Sequence, residues 1–330
     1  MEILNWWRSV ILMIDNVRAL FSSLTRFFSQ TDRWQRIPMS VRIVGMLLVI
    51  GLSIVGIFNY QMLGSTAPST YAAQNSLLRD KSILLFTPDS GYGPSRAIIV
   101  FFGNASGFSA AHRQLAAGLA GDGYVVVGVD VRVLLANLSG DSRTREEVAA
   151  LRVDSLIGSS HQEFDSWPTK NSRNVSDASS HAPRKPMLLM GHALGAEFAL
   201  WTAAHVSDES LKGVVAIAPT SHSALSVTQP ANILVGNSDS TAAFSVADVV
   251  RAAVNLHPQM RVAFLRGSND LSPAADTALL RAGGSHMRRF GVPMAGRSMR
   301  RIAFPSLIVR RSINWILGVP IDSIVPAKKE

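Results

Sequence analysis

Residues 191–195 read Gly-His-Ala-Leu-Gly, preceded by the apolar run Met187–Met190 and continued without a break by AEFALWTAA. This is the strand–turn–helix setting of the G-x-S-x-G nucleophile turn, whose glycines permit a tight bend and a close helix–strand approach. The central position here is Ala193. A methyl group cannot attack a carbonyl, so acyl-enzyme chemistry through this position is excluded. A second turn, Phe102-Gly103-Asn104-Ala105-Ser106-Gly107, follows an apolar run and opens a helical pattern. Such a turn can aim backbone N–H groups at an anion, although its glycines also serve simply to make the bend. Ser106 and Ser109 are the nearest hydroxyls that could replace the missing nucleophile, but serine at a helix start is far more often an N-cap. His192 beside the bend and His222 in TSHSA are candidate ligand or base residues, against the commoner role of a polar turn residue. No His/Asp/Glu group has metal-ligand spacing, and the Rossmann and P-loop glycine patterns are absent, so no metal or nucleotide cofactor is expected.

These positions need elements to hold them. Short β-branched runs alternate with helical patterns, which predicts a mostly parallel central sheet flanked by helices. The expected strands are 82–86, 97–102, 124–130, 187–190, 213–217, 233–235 and 261–265. The expected helices are 109–120, 144–157, 194–206, 246–255 and 306–317. The Ser-, Asn- and Asp-rich stretch from Gly158 to Pro186 reads as a surface loop or insert.

The chain has 330 residues, 47% of them hydrophobic and 17% charged, with a net charge of +9 and no cysteine. Thiol catalysis, thiolate metal sites and disulfides are therefore excluded. Ile43 to Phe58 is an uncharged apolar run that its neighbours extend to a membrane-spanning length of about 20 residues. Arg33, Arg36 and Arg42 precede it and Arg79 is the next charge, which predicts a cytoplasmic N-terminus and an exported C-terminal domain. A cleaved signal peptide is the competing reading, disfavoured by the long stretch before the run. The expected organisation is a cytoplasmic amphipathic segment (1–41), a transmembrane helix (42–63), a linker (64–75) and one domain (76–330). Eight Arg and two Lys from Arg281 to Glu330 face one Asp and one Glu. Such a basic tail suits an anionic lipid or is simply a solvated surface. Nucleic acid is not expected, since no binding module surrounds the arginines.

The 187–204 segment resembles the nucleophile turn of the α/β-hydrolase superfamily. Together with VFFGNASGFSAAHRQLAAGLAGDGYVVVGVD (100–130) it is similar, from about Ile98 to Leu200, to the bacterial VirJ-type virulence proteins. The resemblance implies an oxyanion hole near Gly103 and Asn104 with the Leu194 N–H as second donor. It also implies an acid after the next-but-one strand and a histidine after the last. One alignment puts Asp239 at the acid position and Asn269 at the base position, where an amide has no basic lone pair. The other uses Asp270 as acid and His286 as base. Both leave Ala193 in place.

Two functions follow as expectations. One is a degenerate hydrolase-like domain outside the cytoplasmic membrane that binds an envelope ligand or partner without turnover. The other is an active hydrolase of an envelope ester or phospholipid by a non-serine mechanism, with His286 or His222 activating water.

Overall fold

The computed structural model describes residues 71–88, 95–135, 142–165, 184–223, 244–268, 273–292 and 306–319. All of them fall within one compact unit, 63–330. The segment 42–63 expected to cross the membrane lies outside the described residues, and no helix among those described is long and apolar enough to span a bilayer.

The strands are β1 (Ile83–Phe86), β2 (Ile98–Phe102), β3 (Val125–Val129), β4 (Met187–His192), β5 (Leu211–Ile217), β6 (His222–Ser223), β7 (Phe244–Ser245), β8 (Arg261–Gly267) and β9 (Met287–Val292). Seven of them form one sheet in the order β1-β3-β2-β4-β5-β8-β9, and β6 and β7 make a separate two-stranded ribbon. Only β1 runs antiparallel in the large sheet, against β3. Strands IIVFF, VVVGV and MLLMGH are buried at every position. That continuous apolarity is what a parallel strand covered on both faces requires.

The helices are α1 (Ala110–Gly121), α2 (Val131–Leu134), α3 (Ser142–Phe164), α4 (Leu194–His205), α5 (Val246–Leu256), α6 (Pro273–Gly283) and α7 (Ser306–Leu317). Helices α1 and α7 cover one face through Leu115, Leu119, Val309 and Ile313. Helices α3 to α6 cover the other through Val153, Phe198, Val250 and Leu279. Helix α4 is buried from Gly195 through Ala203, consistent with its near-uniform apolar sequence.

Three expectations change. Helix α3 continues to Phe164, two turns into the stretch read as a loop, because Ser160, His161 and Phe164 are buried against the domain. Strand β9, MRRFGV, was not expected, because two arginines break its apolar pattern; as an edge strand it pairs only with β8. Strand β5 pairs directly with β8, which leaves no place in this sheet for a strand at 233–235 between them. Residues 224–243, where that strand was expected, lie outside the described residues.

Candidate functional site

The bend at 191–195 sits at the C-terminal end of β4, in the middle of the sheet. Ala193 has φ 51° and ψ −116°, a conformation that non-glycine residues rarely adopt. The bend survives because its surroundings over-determine it. The Ala193 N–H donates to the Ile217 carbonyl at 2.8 Å, and its own carbonyl accepts from Ala196 N–H at 2.9 Å and Glu197 N–H at 3.1 Å. A Cβ on Gly191 would lie 2.0 Å from the Gly195 carbonyl oxygen, and one on Gly195 would lie 2.1 Å from the Gly103 carbonyl oxygen. The two glycine turns singled out from sequence are therefore in backbone contact.

That contact revises the oxyanion expectation. The Gly103 N–H donates to Val129 at 2.9 Å, so it is not a free donor; the residue is glycine because a Cβ would meet the Gly107 carbonyl at 2.7 Å. The Asn104 carbonyl accepts from Gly107 N–H at 2.8 Å, and its side-chain oxygen accepts from Ser106 N–H at 2.9 Å. Leu194 opens α4, and its N–H is among the first four that a helix leaves without an intrahelical partner.

His192 is buried, not a turn residue facing solvent. Its Nδ1 lies 3.1 Å from His112 Nε2, and His112 Nδ1 accepts from the Ser109 N–H at 2.9 Å with the Ser109 hydroxyl 2.8 Å away. The Ser109 amide can only donate, so the His112 proton sits on Nε2 and points to His192. Burial, followed by the nearby His192 and Arg113, pushes His112 down to about 3. A histidine held neutral and edge-on to Phe101 (ring centroids 5.4 Å apart) is a core residue, and Ser109 serves it rather than acting as a nucleophile. No sequence signal paired His112 with His192, because they lie 80 residues apart.

Glu197 was also missed. It is buried beneath the bend, accepting from Ser223 Oγ at 2.7 Å and Thr220 N–H at 3.2 Å, with the Thr220 hydroxyl also in reach. The fully buried Arg266 bonds Asp276 at 2.8 Å and the Pro219 carbonyl at 3.1 Å. Together these two charged groups pin the turn after β5, which carries the exposed His222 at the same sheet edge as Ala193. The only charge in the apolar run LGAEFALWTAA was the available signal for Glu197.

Asp239, Asn269 and Asp270 lie outside the described residues. Sheet order nevertheless corrects the alignments. The next-but-one strand from β4 is β8, and it is followed by Asn269 and Asp270 rather than by Asp239. Among the described residues the last strand is β9, followed in sequence by PMAGRSMRRIAFP, which contains no histidine. His286 precedes β9, where its Nδ1 donates to the Met260 carbonyl at 3.1 Å. By strand register it sits at the N-terminal edge of the sheet, about 20 Å from Ala193. The Asp270–His286 pairing therefore does not converge on the bend.

A Ser–His–Asp array does occur, at the opposite edge. His161 Nε2 lies 2.8 Å from Ser210 Oγ, and His161 Nδ1 lies 2.9 Å from Asp165. Asp208 adds a second carboxylate 3.5 Å from Nε2 and accepts from the Ser210 N–H at 2.7 Å. Burial alone would depress His161, but hydrogen bonds to Asp208 and Asp165 outweigh it and raise its pKa. Its hydrogen bonds to His161 and Ser210 hold Asp208 well below the usual carboxylate range against burial. The two carboxylates favour the protonated ring, which has no lone pair for Ser210, and Ser210 and His161 are both buried. This array is a staple joining the end of α3 to the start of β5. Among the described residues, no group of three His, Asp or Glu could hold a metal ion.

No protein-family model and no curated protein matches the sequence. Solved structures similar to it include a putative dienelactone hydrolase from Klebsiella pneumoniae (16% identity, 72% of this chain and 90% of that one, TM-score 0.45). A dienelactone hydrolase from Anabaena variabilis is 17% identical over 76% of this chain and 98% of its own, with TM-score 0.45. A proline iminopeptidase from Mycobacterium smegmatis is 11% identical over 72% and 95%, with TM-score 0.47. By its mostly parallel sheet, helices on both faces and strained bend after the central strand, the domain is α/β-hydrolase-like.

Proposed function

We propose that this chain is a membrane-anchored, exoplasmic α/β-hydrolase-like domain that binds an envelope ligand or partner and carries no serine-hydrolase chemistry. One observation carries the reading: the bend is built to nucleophile geometry around a methyl group, in a chain whose last histidine precedes β9. The nucleophile and the general base are thus both lacking from their usual places, and His192 is engaged by His112. The anchor is read from the apolar run at 43–58 and the arginines before it.

The test is hydrolysis of a short acyl p-nitrophenyl ester by the full chain and by Ala193→Ser. Neither is expected to exceed the buffer rate, because a serine at 193 would still lack a base. Activity in Ala193→Ser alone would mean that acid and base survive and that a single atom was lost. Activity in the unaltered chain, or its labelling by a fluorophosphonate, would overturn the proposal.

A further inference from the structure

We draw no further inference here: the strongest candidate, the apolar groove of about 530 Å³ between β1, α2 and α3 that leaves Val133 and Leu151 exposed, carries nothing because nothing in the structure shows what covers it.

Discussion

At residue 193 the backbone holds a conformation that non-glycine residues rarely adopt, and it does so around a methyl group. Holding a non-glycine residue there costs about 1–3 kcal/mol. Glycine would relieve that strain, at an entropic cost of about 0.5–1 kcal/mol. Ala193→Gly is therefore expected to raise stability by about 1 kcal/mol in urea denaturation, and a drop would mean that the bend is not strained. Gly195→Ala should act in the opposite direction. Its Cβ would lie 2.1 Å from a backbone oxygen that cannot move without shifting the β2 turn. A loss of about 3 kcal/mol is expected by the same measurement. Both glycines and the alanine were visible in the sequence as a pattern; what was not visible is that the two turns touch, which is why Gly103 was read as a donor when it is a spacer.

At the scale of elements, two buried histidines make opposite demands on pH. His112, held near 3 between α1 and β4, stabilises the fold only as the neutral ring. Its contribution is full above the unfolded value of about 6.5 and is lost progressively as pH falls toward 3. His161 has a raised value, so its staple is fully present below about 6.5 and is lost as pH rises through the folded value. Melting midpoints measured across pH should show His112→Gln flattening the acid limb and His161→Gln flattening the alkaline one. If neither variant changes its limb, neither environment is as drawn. Parallel strands with unbroken apolar runs were legible from sequence, as were helices with an apolar stripe. The end of α3 was not, because its buried polar residues find their partners in a turn some 50 residues away. Strand β9 was not, because the adjacent exposed Arg288 and Arg289 interrupt a strand whose only fully buried residues are its ends, Met287 and Val292. Counting a strand at 233–235 put Asp239 at the acid position, and missing β9 put Asn269 at the base position.

For the whole molecule, the clasp of Glu163 on Tyr71, Gln74 and Asn75 matters most. The Tyr71 hydroxyl and two backbone amides hold the carboxyl below its usual range despite partial burial. The residues expected to form a free linker up to Asn75 are thus tied to the domain from Tyr71 onward. Glu163→Gln is expected to speed amide hydrogen exchange at Gln74 and Asn75 while leaving β2 and β4 protected; unchanged exchange would mean that the clasp is idle. The same feature gives the sheet a foot and a crown. Six of its seven strands climb from the edge where the chain enters toward the edge that carries Ala193. The bend is thus a crown held about one strand-length from the edge at which Tyr71 is tied down, so the clasp and the turn at Ala193 report on opposite ends of the same sheet.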